Sequence, residues 1–443
     1  MKKHISRDID QVLIDWRNQS ERKPLMLRGA RQVGKSTAVQ TLALGFEYFV
    51  EINFESDVEV RQFFNGNLNP ISICENLALY FDTPIIAGKT LLFFDEIQSC
   101  IPAISSLRFF YEKLPALHLI SAGSLLEFAL EDLPSFGVGR IRSVFMYPLS
   151  FDEFLGSLGE TNLIVHKKNA NAQNPLSEPF HLKLTEYFKK YLIIGGMPEA
   201  VAVYANGGSL LDVQAVLDDL IISLKSDFVK YKKKVPPNKI LEVFDSIIKQ
   251  TGGKFIYSKA LEGANLQQIK EIVQLLILSG LVIPITHTSA NGLPLGAEIN
   301  EKKIKLMLFD TGLYQKALGL NVGQLLANND FDAINKGAIA EMFFGLEYLK
   351  YGNPFQYRNL YYWHRESAKA NAELDYIISK HDDIIPVEVK ASNKGSMQSL
   401  FLFLKEKNRP KGIRVSLENF SKIPQIDIIP LYALSSIERI LTL

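Results

Sequence analysis

The octapeptide Gly29-Ala30-Arg31-Gln32-Val33-Gly34-Lys35-Ser36 decides how this chain is interpreted. It fits the pattern G-x-x-x-x-G-K-[ST], in which glycines allow backbone N–H groups to surround phosphates at the start of a helix. The apolar residues Leu25–Leu27 precede it and predict a short buried strand, and the residues from Thr37 onward predict a helix. The sequence therefore predicts a nucleoside triphosphate site in an α/β fold.

The loop residues divide into phosphate-binding and metal-binding groups. We expect Lys35 to contact the β- and γ-phosphates and the hydroxyl of Ser36 to ligate Mg²⁺. The residues expected to bind ATP are Gly29, Ala30, Arg31, Gln32, Val33, Gly34, Lys35, Ser36 and Thr37. A chance glycine turn between a strand and a helix is the alternative, and the flanking pattern argues against it.

A second apolar run, Leu91–Phe94, ends in two acids. It predicts a buried strand of a parallel sheet. Asp95 at its carboxyl end is expected to hold Mg²⁺, and Glu96 to polarise the attacking water. Exposed loop acids are the alternative, but the pairing with the glycine loop favours the catalytic interpretation.

Two further strands are predicted at residues 46–54 and 117–120 from their β-branched, aromatic and aliphatic content. The second strand is followed by small polar residues at the sheet edge that faces the nucleotide. Ser121 or Ser124 is a candidate sensor of the γ-phosphate there. A plain strand-to-helix turn is the alternative.

Length and composition set wider limits. A chain of 443 residues is expected to form about three domains of roughly 150 residues each. The net charge of +1 indicates neither nucleic acid nor a membrane as partner. Cys74 and Cys100 alone supply no disulfide framework and no metal cluster, and the apolar run 275–285 is too short to span a bilayer. We therefore expect a cytoplasmic protein without membrane association.

The middle of the chain reads as mainly helical. Residues 160–180 mix Asn, Pro and Ser and predict a linker or insertion, and helical patterns follow at 182–194 and 210–228. Three short helices are then predicted at 240–250, 257–261 and 265–278, followed by strands at 281–285 and 305–309. Three helices and a hairpin are typical of a winged-helix module, which binds DNA or protein. The lysine run within 230–239 slightly favours DNA.

Four polar residues near the C-terminus invite a joint interpretation. Glu341 lies in an apolar helix, Asp375 begins a strand, and Glu388 and Lys390 lie two residues apart on the next strand and hence on one face. A hairpin turn at 380–383 would bring the two strands together. Carboxylates that converge in this way predict a Mg²⁺ or Mn²⁺ site of Glu341, Asp375 and Glu388, with Lys390 positioning the nucleophile. A solvated Glu/Lys strand face is the alternative.

The N-terminal motifs carry a family resemblance. The segments at 29–36, Phe94–Gln98, Ser121–Ser124, Val138–Arg140 and Tyr147–Phe154 together resemble prokaryotic AAA+ ATPases related to the archaeal ATPase group, whose members carry a C-terminal domain of unknown function. The resemblance implies an AAA+ core with a helical lid, and hydrolysis that depends on a homo-oligomer or a protein partner. It also makes Arg140 the candidate for stabilising transition-state charge, an exposed loop arginine being the alternative.

The C-terminal motif carries a second resemblance. An aspartate followed after a short hairpin by Glu-x-Lys resembles the PD-(D/E)xK nuclease superfamily, with Glu341 matching its helix acid. The family's Pro-Asp pair is absent, because Leu374 precedes Asp375. The resemblance implies a restriction-endonuclease-like α/β domain, and this departure leaves cleavage activity open.

These patterns predict an α/β protein with a parallel P-loop AAA+ sheet. Its expected parts are an ATPase core at 1–157, a helical lid at 158–235, a winged-helix module at 236–320 and a nuclease-like domain at 321–443. The leading functional prediction is ATP-dependent action on DNA. The rival is a nucleotide-switched, protein-binding or regulatory scaffold in which the nuclease-like domain is inactive.

Overall fold

The structure is a computed structural model that describes residues 5–124, 126–131, 139–231, 235–320, 336–365, 372–391 and 396–441. Its contacts divide the chain into two compact units. The first contains the residues up to 147 with segments 278–280 and 353–357, and the second contains the remainder. Lysines 232–234 of the predicted basic run lie outside the described residues. No helix in the described ranges is long and apolar enough to cross a membrane.

The first unit is built on one five-stranded sheet. Its strands are β1 (Leu25–Arg28), β2 (Tyr48–Asn53), β3 (Thr90–Asp95), β4 (His118–Ala122) and β5 (Arg142–Phe145). Its helices are α1 (Asp8–Arg17), α2 (Lys35–Ala43), α3 (Pro70–Tyr80), α4 (Ile101–Lys113) and α5 (Leu126–Glu131). The strand order is β2-β3-β4-β1-β5, and every neighbouring pair is parallel. This confirms the predicted parallel α/β sheet.

Burial explains why β3 has no polar face. All six of its residues are buried, as expected for a central parallel strand that is covered on both sides. On one side Phe94 packs edge-on against Phe54 and Phe64, with ring centroids 5.5 Å apart in each pair. Because the strands are parallel, the polar residues that follow β1, β3 and β4 meet at one edge of the sheet.

The second unit begins with helices. They are α6 (Phe151–Ser157), α7 (Thr161–Asn169), α8 (Glu178–Ile194), α9 (Pro198–Ala205), α10 (Leu210–Ser226), α11 (Pro237–Gln250) and α12 (Leu266–Leu278). The helical patterns predicted at 182–194, 210–228, 240–250 and 265–278 are thus confirmed to within a few residues. The helix predicted at 257–261 is instead a short 3₁₀ turn, Tyr257–Lys259.

Of the linker or insertion predicted at 160–180, the part Thr161–Asn169 is not an irregular linker but forms the helix α7. Lys167 of this helix is fully buried and forms an ion pair with Asp152 of α6. Its ammonium also donates a hydrogen bond to the hydroxyl of Ser435 at 2.8 Å. A buried charge stays in place only when it is paired, so these contacts fix the segment as an ordered helix despite its polar surroundings in sequence.

A mixed eight-stranded sheet follows. Its strands are β6 (Val282–Thr288), β7 (Ile299–Leu308), β8 (Leu360–His364), β9 (Glu373–Lys380), β10 (Asp383–Val389), β11 (Gly412–Ser416), β12 (Ser421–Ile423) and β13 (Ile426–Pro430). The accompanying helices are α13 (Thr311–Ala317), α14 (Lys336–Lys350), α15 (Gln398–Glu406) and α16 (Ile437–Ile440). The strand order is β12-β13-β11-β10-β9-β8-β6-β7, and β9 and β10 form the predicted antiparallel hairpin.

The strands predicted as a wing belong to this sheet. β6 and β7 pair with each other antiparallel, but β6 also pairs in parallel with β8, where Ile285 lies opposite Leu360. The hairpin is therefore an edge of the C-terminal sheet and does not stand apart from it. The division into lid, winged-helix module and nuclease-like domain stays a prediction.

Candidate functional site

The phosphate loop joins β1 to α2 in the predicted way. Gly34 occupies the N-cap of α2 with φ 96°, a left-handed conformation that glycine adopts without strain. At Gly29, with φ 146°, an added Cβ would lie 2.2 Å from the carbonyl oxygen of Met146. Both glycines of the motif are therefore required by the backbone itself.

Lys35 is folded back onto this loop. Its Nζ donates hydrogen bonds to the carbonyl oxygens of Gly29 at 3.0 Å and Ala30 at 2.8 Å, and the residue is 8% exposed. Burial lowers the pKa of Lys35 to about 8, although the negative charges of Glu96 and Asp95 oppose that shift. The ammonium is thus desolvated and held by neutral carbonyls, an environment that an anionic ligand would improve.

The structure brings Ser36 and Asp95 together. The Ser36 hydroxyl donates to Oδ2 of Asp95 at 2.9 Å, and the other carboxylate oxygen accepts from the backbone N–H of Glu96 at 3.0 Å. Burial raises the pKa of Asp95, and the hydrogen bond from Ser36 counteracts this. A hydroxyl beside a carboxylate is a set of hard oxygen ligands, so these two residues fit the predicted Mg²⁺.

Glu96 is held at the same sheet edge in a left-handed conformation, with φ 47°. Its Oε2 accepts hydrogen bonds from the amide of Gln98 at 2.6 Å and the hydroxyl of Ser124 at 3.1 Å. Burial alone would raise the pKa of Glu96, but the Gln98 hydrogen bond and the charges of Arg31 and Lys35 lower it. Glu96 is therefore an oriented, ionised carboxylate, which is the state that a group polarising water requires.

Ser121, within β4, and Ser124, just after it, have different environments. Ser121 is fully buried and donates to the carbonyl oxygen of Leu25 at 3.1 Å, which is a structural contact within the sheet. Ser124 contacts Glu96 and also accepts from Nε of Arg31 at 3.1 Å. Of the two alternatives left open by the sequence, Ser124 is the one located at the candidate site.

Arg140 precedes β5 and forms an ion pair with Glu112, with Nε 2.5 Å from Oε1. Its side chain is 47% exposed. The preceding residues 132–138 lie outside the described residues. Its predicted role in hydrolysis stays a prediction.

The second unit gathers the predicted C-terminal residues. Asp375 on β9 accepts a hydrogen bond from the backbone N–H of Val389 on β10 at 2.8 Å. Lys390, just after β10, forms an ion pair with Glu388. Glu341, on α14, is close enough that its charge acts on Lys390 together with those of Glu388 and Asp375. We call Glu341, Glu373, Asp375 and Glu388 the carboxylate cluster.

A buried lysine that the sequence analysis missed lies at this cluster. Lys305 of β7 is 2% exposed, and its Nζ lies 2.7 Å from Oε1 of Glu373 and 3.4 Å from Oε2 of Glu341. It also lies 5.2 Å from the ring centroid of Tyr362. The available signal was a lysine at the start of the predicted apolar strand 305–309, where a buried charge needs a partner.

Electrostatics in the cluster are dominated by burial and mutual repulsion. Burial and the charge of Asp375 raise the pKa of Glu341 to about 8 and that of Glu388 to about 7. Burial by itself would lower the pKa of Lys305, yet Glu341, Asp375 and Glu373 raise it. Oε2 of Glu388 is buried without a hydrogen-bond partner. Among the described residues, no group of three or more His, Cys, Asp or Glu side chains is arranged to hold a metal ion.

Comparison with known protein families finds three models that match successive parts of the chain. A model of the family described as AAA domain matches residues 21–155. Two further models, each described as a domain of unknown function, match residues 185–324 (DUF8612) and 336–434 (DUF4143). No curated protein matches the chain.

One solved structure that matches is that of the Aeropyrum pernix ORC1 protein in complex with DNA. The two chains are 12% identical, the match covers 72% of this chain and 92% of that one, and the TM-score is 0.29. So low a TM-score supports no argument about fold or function. The family matches confirm that the chain carries a P-loop AAA domain followed by two regions of unknown function.

Proposed function

We propose that this protein binds and hydrolyses ATP with Mg²⁺ at the phosphate loop. One observation carries the proposal: Lys35 is a buried ammonium with carbonyl partners, beside the Ser36–Asp95 pair and the oriented Glu96. Lys35 binds the β- and γ-phosphates, Ser36 and Asp95 hold the Mg²⁺, and the ion neutralises charge on the phosphates. Glu96 orients the attacking water and accepts its proton.

Two variants separate binding from hydrolysis. Lys35→Ala is expected to abolish ATP binding, because it removes positive charge that acts on the bound phosphates. Glu96→Gln is expected to retain ATP binding and to block hydrolysis, because the carboxylate acts on water only during the reaction. Fluorescent-nucleotide titration and phosphate release measure the two steps.

The control is Lys89→Ala, which removes an exposed lysine that pairs with Glu47 in the same unit. It should leave both measurements unchanged. Normal turnover by Glu96→Gln would remove Glu96 from its assigned role, and normal ATP binding by Lys35→Ala would refute the site.

For the second unit we propose the role of a nucleotide-switched scaffold that binds a protein partner, in preference to DNA cleavage. The favouring observation is Lys305, whose ammonium lies against two acids of the carboxylate cluster. In the nuclease alternative, Glu341, Asp375 and Glu388 hold a divalent ion and Lys390 positions the nucleophile. The lysine occupies part of the space and supplies part of the charge that such an ion would provide.

Plasmid nicking with Mg²⁺ or Mn²⁺, with and without ATP, distinguishes the two roles. The scaffold predicts ATP turnover without cleavage. Cleavage that Asp375→Ala eliminates, while ATP turnover persists, would instead establish the nuclease role. A matched control is Asp383→Ala, which removes an exposed acid at the start of β10.

A further inference from the structure

The carboxylate cluster contains its own cations. Lys254 lies 3.6 Å from Glu373, Lys390 pairs with Glu388, and Lys305 lies between Glu373 and Glu341. Four carboxylates are therefore faced by three ammonium groups. These ammonium groups reduce the repulsion among the acids, so the folded cluster does not require a metal ion for that purpose.

Lys305 is the cation that the protein scaffold holds most firmly. Its side chain is 3% exposed, whereas those of Lys254 and Lys390 are 37% and 30% exposed. Met307, the next residue on the same face of the strand, is buried as well, so this part of that face is closed to solvent. The ring of Tyr362 adds a cation–π contact.

An ammonium at this place is incompatible with a tightly bound divalent ion. Mg²⁺ requires oxygen ligands at about 2.0–2.1 Å in near-octahedral arrangement, and a neighbouring positive charge repels it. An ammonium a few ångströms from the acids therefore lowers their affinity for a divalent cation. Oε2 of Glu341 faces the ammonium of Lys305, so a bound ion would have to share this carboxylate with a positive charge.

We propose that Lys305 is the resident counter-ion of the carboxylate cluster, so that the cluster is assembled without a divalent ion. The lysine contributes the charge that a metal contributes in sites built from the same acids. The inference concerns metal occupancy alone. The scaffold role is argued from the same lysine, but Mn²⁺ binding and plasmid nicking are separate measurements, so failure of one proposal is distinguishable from failure of the other.

The test is a titration of the full chain with Mn²⁺ in the absence of nucleotide. Binding is measured as the loss of the electron paramagnetic resonance signal of free Mn²⁺. The wild-type protein should show no Mn²⁺ binding that Asp375→Asn removes. Lys305→Met should gain Mn²⁺ affinity by at least about tenfold, because a repelling charge beside the acids is gone. Asp375→Asn in the Lys305→Met background should remove that gain.

The matched control is Lys302→Met, which removes an exposed lysine from the same strand. It should bind Mn²⁺ as the wild type does. Circular dichroism establishes whether each variant is folded, and a Lys305→Met protein that folds only with Mn²⁺ present also supports the inference.

Two results would overturn it. One is Mn²⁺ bound by the wild type and lost in Asp375→Asn, a comparison that requires no Lys305 variant and decides even if Lys305→Met fails to fold. The other is a folded Lys305→Met protein that gains no Mn²⁺ affinity.

Discussion

Both candidate sites contain a buried lysine beside carboxylates, yet the two lysines are in opposite electrostatic states. Lys35 donates to backbone carbonyls, and burial lowers its pKa to about 8. Lys305 lies against Glu373 and Glu341, whose charges outweigh its desolvation and raise its pKa. Burial is similar for the two residues, so the partners make the difference.

The difference indicates which site is completed by a ligand. A desolvated ammonium on neutral carbonyls gains from an added anion, so the phosphate loop is incomplete without phosphates. An ammonium already surrounded by carboxylates gains little from any ligand of either sign. The first site is therefore expected to respond strongly to ATP, and the second to respond weakly to divalent ions.

The largest effect is expected from Arg140, whose positive charge is predicted to act at the phosphate-loop site during hydrolysis. Arg140→Ala should lower the ATP hydrolysis rate by roughly 10³–10⁵, as loss of an arginine that stabilises transferred-phosphoryl charge does. The rate should be measured over a series of protein concentrations, because Arg140 acts within its own subunit or on a neighbour.

Arg108→Ala, on an exposed arginine of α4, is the control and should hydrolyse ATP normally. Glu112→Gln removes the ion-pair partner of Arg140 but leaves the arginine in place, so it should not reduce the hydrolysis rate either. Near-normal hydrolysis by Arg140→Ala at every concentration would remove Arg140 from its predicted role in hydrolysis.

A smaller effect is expected in thermal unfolding, where the two sites should differ in how much their ligands stabilise the protein. Saturating ATP with Mg²⁺ at 100 times its dissociation constant should stabilise the wild type by about 2.7 kcal/mol, and Lys35→Ala should lose this stabilisation. Mn²⁺ alone should leave the unfolding of the second unit unchanged. Stabilisation by Mn²⁺ that disappears in Asp375→Asn would contradict the comparison.

The phosphate loop could be predicted from sequence because its determinants are local. Gly29, Gly34, Lys35 and Ser36 lie within one turn between a strand and a helix, and Asp95 needed only the rule that parallel strands end at one edge. Ser124 could be named only as one of two alternatives, since the contact with Glu96 depends on side-chain direction after β4.

The rest depended on contacts between distant segments. Lys305 meets Glu341 36 residues further along the chain, through a sheet whose order no local pattern specifies. The pairing of the predicted wing with the larger sheet is likewise not visible locally, because β6 pairs with β8 as well as with β7. Likewise the sequence of α7 by itself predicts a linker or insertion, because the partners of Lys167, on α6 and at Ser435, lie in other segments of the chain.

The smallest and most specific prediction concerns the pH dependence of ATP binding. In the free protein the pKa of Lys35 is about 8, below its ordinary 10.5, and bound phosphates raise it by adding negative charge. ATP binding therefore takes up a proton near pH 8, and affinity is highest below pH 8 and falls as pH rises. At pH 9 the dissociation constant should be larger by about tenfold, since one pKa unit corresponds to about 1.4 kcal/mol.

Fluorescent-nucleotide titration in EDTA measures this dependence without metal. The titration covers pH 7 to pH 9, about one unit on either side of that pKa. Lys35→Arg keeps its charge throughout and should give a flat profile, whatever its absolute affinity. An equally flat wild-type profile would mean that Lys35 stays protonated like Lys305, and the contrast between the two lysines would be lost.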